Sequence, residues 1–199
     1  ISAWHIMQTM KKENHVSVYQ HYKNCCSGLG IPDIQRALDQ MIVLDYLIVN
    51  EDRHMNNFGV IRRADTLEYL GAAPIFDSGT SLWFDKPTTL IRVDAKVTCK
   101  PFKTTHEEQV KLVRDFSWLD LSALNGITDE WREIMKDSLF VDEARCEAIC
   151  TSLSQRIKML EKLILSRPQK MFCDNVQHDV KQNFAYSGER EDGCLGMKL

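Results

Sequence analysis

"VNEDRHMNNFGV", residues 49–60, is the stretch on which the reading of this chain turns. Seven of the eight positions from Asn50 to Asn57 carry polar or charged side chains. They directly follow an apolar run, "IPDIQRALDQMIVLDYLIVN", at 31–50. In that run Ile34, Leu38, Met41, Ile42, Asp45 and Ile48 recur at three- and four-residue steps, which predicts a helix. Pro32 suits its first turn. Apolar residues cover most of the circumference near the end, so that end is expected to be buried. A buried helix that opens into a dense polar loop is either a solvated cap or a site.

Working outward, "FGVI" and "LEYL" predict two short strands joined across Arg62 to Thr66. "AAPIFDSGTSLWF" follows, with Pro and Gly punctuation that rules out a helix. Residues 88–100 are expected to be extended, and the remainder helical. Thr105, three residues before Glu108, offers a capping-box start. The segment 141–166 carries Ile149, Leu153, Ile157, Leu160 and Ile164 on one stripe, and Pro168 stops it. Residues 1–30 show no clear period, residues 169–199 form a polar tail, and no internal repeat is found.

The totals bound the function. The 199 residues suffice for one domain, or a domain with a tail, and 44% apolar content can fill a core. A net charge of −3 supplies no basic field to recruit nucleic acid or membrane. No apolar run reaches membrane-span length, and no secretory signal is expected. The seven cysteines are odd in number and irregularly spaced, which fits free thiols in a reducing cytoplasm. Cys146 and Cys150 lack a second pair of ligands at zinc spacing.

Asp52 and Asn57 form Asp-x-x-x-x-Asn, but so do Asp45 with Asn50 and Asp120 with Asn125. Spacing alone selects none of them. The first control pair lies on the predicted helix, where a turn is expected to keep its side chains apart. The second reads as an ordinary helix entry and exit. Exchange of Asp45 or Asp120 is therefore expected to leave any chemistry unchanged. Context singles out Asp52, because Asp77-Ser78-Gly79, the only Asp-x-Gly in the chain, follows Asn57 by twenty residues across the predicted hairpin. Phosphoryl transfer asks for this set: one aspartate to orient a hydroxyl and take its proton, and an asparagine and a second aspartate to hold a metal that bridges phosphates. Magnesium prefers such hard oxygen ligands. Gly79 permits a sharp turn beside it.

"NEDRHMNNFG" followed by "APIFDSGTSLW" resembles the HipA-like kinases, bacterial serine/threonine kinases with a protein-kinase-like fold. The Asp-Arg-His-x-x-Asn core is also similar to the catalytic loop of the phosphatidylinositol kinases. "CKPF" at 99–102 and the helices to about residue 165 look like the C-terminal lobe of HipA-like proteins. The resemblance spans roughly residues 1–166 and is sharp from 41 to 102. It implies an α+β, mostly helical, kinase-like C-terminal lobe over residues 1–168, with a small catalytic β-hairpin. By its motif, Asp52 is the catalytic aspartate, and Asn57 and Asp77 hold the metal and thereby the nucleotide. His54 matches a histidine implicated in catalysis in the phosphatidylinositol kinases; a structural hydrogen bond is its other reading. ATP and Mg2+, a protein substrate, and a toxin role with a small DNA-binding antitoxin as partner are further implications.

The parts that cover the phosphates are harder to find. Gly28-Leu29-Gly30 precedes Pro32 and a helix rather than a lysine-bearing strand, and Lys11, Lys12 and Lys23 have no strand pattern. With Ile1 as first residue, the chain is expected to start near an interlobe hinge of a longer protein. Residues 1–199 alone are then expected to bind ATP weakly and to transfer no phosphoryl group. Two rivals stand beside the protein-kinase reading. One is a lipid or small-molecule kinase, which shares the Asp-Arg-His core. The other is a non-catalytic pseudokinase or interaction module.

Overall fold

A computed structural model describes residues 1–95 and 97–167. The expected polar tail, with Cys173 and Cys194, lies outside the described residues. Residues Ile1–Ser166 form one compact unit.

The first thirty residues, which show no clear period in the sequence, hold two helices, α1 (Ala3–Met7) and α2 (Val18–Gly28). Ser17 caps α2 by accepting from the Gln20 N–H at 3.1 Å. Its buried face is Tyr19, Tyr22, Cys25 and Cys26, with His21 between them. The stripe has helical spacing but is built of aromatics, thiols and an imidazole, so a reading keyed to aliphatic residues passes over it.

Helix α3 (Ile34–Ile48) is the expected central helix, shorter at both ends than 31–50. Asp33 sits in the left-handed region at φ 55°, so Pro32 precedes the helix instead of entering its first turn. At the other end Val49 stops α3 at φ 57°, ψ 49°. A β-branched residue there is a genuine outlier, costing ~1–3 kcal/mol that the surrounding structure must offset. Val49 is buried, and the polar loop begins at the next residue.

Strands β1 (Val60–Arg62) and β2 (Tyr69–Ala72) pair antiparallel, Val60 opposite Ala72 and Arg62 opposite Tyr69. The hairpin is the expected one, with each strand starting two residues later. The first residues of the chain lie along its entry. Ile1 and Val60 exchange two hydrogen bonds at 2.8 and 2.9 Å. Gly59 allows this approach, because a Cβ there would stand 2.1 Å from the Ile1 carbonyl oxygen.

Residues 88–100 are not the extended segment expected. Thr88–Leu90 form a 3-10 turn, and the nearest ladder contact is an isolated bridge between Thr98 and Thr105. Thr105 caps α4 (His106–Gln109), accepting from the Glu108 N–H at 3.3 Å. Asp120 opens a 3-10 turn over Leu121–Leu124 by accepting from the Ser122 N–H, consistent with an ordinary helix entry. Helices α5 (Ile127–Met135) and α6 (Glu143–Ser166) complete the unit.

The core forms where α2, α3 and α6 meet the hairpin: Tyr22, Leu38, Met41, Ile42, Val60, Leu153 and Leu160 are all buried in one cluster. Ile157 and Ile164 pack against it, so the predicted stripe of α6 faces inward. Arg156 ties α6 to α3: its Nε donates to the Tyr46 carbonyl at 2.6 Å, and its guanidinium lies 4.2 Å from the Tyr46 ring centroid. The result is a mostly helical α+β unit with one small two-stranded sheet. Among the described residues no helix is long and apolar enough to cross a membrane. The five cysteines among them are free thiols.

Candidate active site

Helix α3 carries a carboxylate into the interior. Asp45 sits on the buried stripe with Met41 and Ile42 and has no solvent exposure. An unpaired carboxylate there would be heavily penalised. Arg53, equally buried, answers it: Nε donates to Oδ2 at 2.9 Å and Nη2 to Oδ1 at 2.9 Å. This is the bidentate fork that suits a guanidinium to a carboxylate. Burial pushes the Asp45 carboxyl up, and the Arg53 and Asn50 bonds oppose that.

Contrary to the expectation for this pair, no turn keeps Asp45 and Asn50 apart. Asn50 Nδ2 donates to Asp45 Oδ1 at 3.0 Å, because α3 stops at Ile48 and the left-handed Val49 folds Asn50 back over the helix end. Asn50 Oδ1 in turn accepts from the Asp52 N–H at 3.1 Å and from Thr80 Oγ1 at 3.0 Å. Asp45 and Asn50 are thus the floor of the polar loop.

The remaining donors of Arg53 join two distant segments. Nη1 donates to the Asn57 carbonyl at 2.8 Å and also to the Phe76 carbonyl. Nη2 also donates to Ser78 Oγ at 2.9 Å. Phe76 and Ser78 flank Asp77, so one guanidinium holds the loop 52–57 against the segment that carries Asp77. Two backbone bonds repeat the junction, from Glu51 N–H to the Thr80 carbonyl at 3.0 Å and from Leu82 N–H to the Ile48 carbonyl at 2.7 Å.

Above this floor stand the residues singled out in the sequence. Asn57 is buried, and its Nδ2 donates to the Asp52 carbonyl at 2.9 Å, which leaves Oδ1 as the free end of the amide. Asp77 is exposed and takes the left-handed region at φ 54°, a conformation aspartate tolerates better than most residues. His54 Nδ1 accepts from the Asn56 N–H at 3.2 Å. The neutral ring therefore carries its proton on Nε2, which lies 4.0 Å from Asp52 Oδ2. Asn56 is braced by Ser2 Oγ at 3.0 Å, so the start of the chain supports the loop. Asp52 itself is partly exposed and accepts from Lys100 Nζ at 2.7 Å. That hydrogen bond, with the Lys100 charge behind it, holds its carboxyl below the usual range.

The loop thus gathers Asp52, His54 and Asn57 by local folding, and Arg53 brings the Asp77 backbone to the same place. Arg53, Asn50 and Asp45 have structural roles in the site that residue spacing does not reveal. A signal for them is nonetheless present: Asp45 stands on an otherwise apolar stripe, and a carboxylate there demands a nearby cation. Lys100 leaves no comparable signal, since it is 48 residues from Asp52.

Among the described residues no group of three or more His, Cys, Asp or Glu is placed to hold a metal. A magnesium ion does not require one. It binds through one or two protein oxygens plus phosphate and water, and the Asn57 amide oxygen and Asp77 carboxylate are donors of that kind.

No family model and no curated protein matches the sequence. Among solved structures, the chain is similar to a proinflammatory kinase of Helicobacter pylori, CtkA. The TM-score is 0.52 at 17% identity, over 84% of this chain and 72% of that one. The likeness is one of fold, and the fold is kinase-like.

Proposed function

We propose that this protein is an ATP- and Mg2+-dependent phosphotransferase of HipA-like type that phosphorylates serine or threonine hydroxyls of a protein substrate. The observation that carries the proposal is the Arg53 guanidinium, bonded at once to Asp45, to the Asn57 carbonyl and to both neighbours of Asp77. A solvated turn has no use for a buried clamp on two segments. A site that must hold two oxygen donors in register across the hairpin does.

On this reading Asp52 orients the acceptor hydroxyl and receives its proton as the new bond to the γ-phosphorus forms and the bond to the ADP oxygen breaks. Asn57 Oδ1 and the Asp77 carboxylate would hold a magnesium ion, which when bound would neutralise charge on the phosphate oxygens. His54, with Nε2 4.0 Å from Asp52 Oδ2, stands beside the carboxylate as a positioning residue. A cytoplasmic setting and a toxin role, with a small DNA-binding antitoxin as partner, extend the same resemblance.

The test is transfer of labelled phosphate from Mg–ATP to protein, lipid and small-molecule acceptors by the full product of the coding sequence. Transfer to a protein hydroxyl that requires both magnesium and Asp52 is expected. Transfer to lipid alone would favour the lipid-kinase rival. Failure to bind Mg–ATP at all would overturn the proposal in favour of a non-catalytic module.

A further inference from the structure

Lys100 belongs to the Cys99-Lys100-Pro101-Phe102 motif, which has no part in the chemistry above. Its backbone is firmly anchored in the fold. Gln109, 1% exposed, donates through Nε2 to the Lys100 carbonyl at 2.7 Å. Its Oε1 accepts from the N–H groups of Phe102 at 3.0 Å and Lys103 at 3.2 Å. Cys99 N–H donates to the Thr104 carbonyl at 3.0 Å. The Phe102 ring is wedged edge-on against Tyr19 and Phe58, with centroids 5.1 and 6.0 Å away. An anchored turn therefore presents one half-exposed ammonium to Asp52 from the far side of the loop.

An ion pair this exposed adds little to stability, so stability does not account for the anchoring. It also sits awkwardly for catalysis, because an ammonium bonded to Asp52 Oδ1 competes with the hydroxyl that Asp52 must receive. Exchange of partners resolves the conflict. The acceptor hydroxyl lies between Asp52 and the transferred phosphorus, so the terminal phosphoryl oxygens come close to Asp52. The lysine stem is flexible and its head has three donors. Arg53 cannot serve, because its guanidinium is buried and committed to Asp45, Asn57, Phe76 and Ser78.

Resting on the phosphotransferase reading, we propose that Lys100 is a phosphate-binding residue whose ammonium exchanges the Asp52 carboxylate for the terminal phosphoryl oxygens of a nucleoside triphosphate. The exchange neutralises charge on the group to be transferred and frees Asp52 Oδ1 for the acceptor hydroxyl. Lys100 is thereby specific for the third phosphate.

The test is calorimetry on the full product of the coding sequence, with Mg2+ and either the non-hydrolysable β,γ-methylene analogue of ATP or ADP. Lys100→Met should weaken the triphosphate analogue about tenfold or more, as expected for loss of a charge-assisted bond, and change ADP less than about twofold. Asp52→Asn should tighten the triphosphate by releasing the lysine, and that gain should vanish in the double variant with Lys100→Met. Lys103→Met, a neighbouring ammonium, should change neither ligand, and thermal melts check folding throughout. If Lys100→Met weakens both nucleotides equally or neither, while Asp77→Ala raises the magnesium concentration needed for nucleotide binding, the lysine inference falls and the functional reading stands. If the unaltered protein shows no magnesium-dependent binding, the reading falls and the inference with it.

Discussion

Asp45→Ala would leave Arg53, whose side chain has no solvent exposure, without its carboxylate. Three hydrogen bonds disappear, two from Arg53 at 2.9 Å and one from Asn50 at 3.0 Å. The larger cost is the orphaned charge, because breaking one side of a buried pair typically destabilises by about 3–5 kcal/mol. Against a total of about 5–15 kcal/mol for a domain, the variant should be marginal. Urea denaturation followed by circular dichroism reads this directly. With a slope of about 2 kcal/mol per molar, the midpoint should fall by about 2 M. Asp45→Asn keeps one acceptor oxygen and should cost less, about 1.5–3 kcal/mol. The decisive measurement is the cycle with Arg53→Met. If the pair acts as described, the double variant Asp45→Ala/Arg53→Met should be more stable than the sum of the singles by about 2 kcal/mol or more, since the buried charge leaves with its partner. Additive losses, within about 0.5 kcal/mol, would refute the claim that this pair organises the loop.

Asp52→Asn should lower turnover about 10²–10⁴-fold, as expected for a positioned acid–base group, whereas Asp120→Asn should leave it unchanged. Equal losses at both, in a steady-state phosphate-transfer assay, would show that the choice of Asp52 had no physical basis. Asp77→Ala should act through the metal, so the magnesium concentration for half-maximal nucleotide binding should rise while the melting temperature changes little. An unaltered magnesium dependence would remove Asp77 from the site. Burial, and secondarily the Arg156 charge, lower the His106 pKa from 6.5 to about 3. Between those values the unfolded chain binds a proton that the folded chain does not, so stability should decline as pH falls from about 6.5 toward 3, by about 1.4 kcal/mol per unit. Urea midpoints between pH 7 and 4.5 should show this slope, and His106→Gln should flatten it; identical slopes would sink the assignment.

Signals that live within one turn or one hairpin are legible in the sequence itself. The period of α3, the stripe of α6, the Thr105 cap and the hairpin after the polar loop all depend on neighbours a few residues apart, and local spacing encodes them. The order Asp52, Asn57, Asp77 is legible for the same reason, as residue types in sequence. Helix α2 escapes such a reading because its buried face uses tyrosine, histidine and cysteine, which hydropathy grades as ambiguous. Residues 88–100 have the composition of an extended segment, but the only ladder contact near them among the described residues is the single bridge at Thr98, and ladder partners are non-local. The tertiary structure alone decides which polar residues share a floor. It places Asp45 and Asn50 beneath the loop rather than apart, gives Arg53 two segments to hold, and sets Lys100 against Asp52 across 48 residues. A buried charge must find its counter-charge wherever the folded chain brings one, and the distance along the sequence carries no information about where that is.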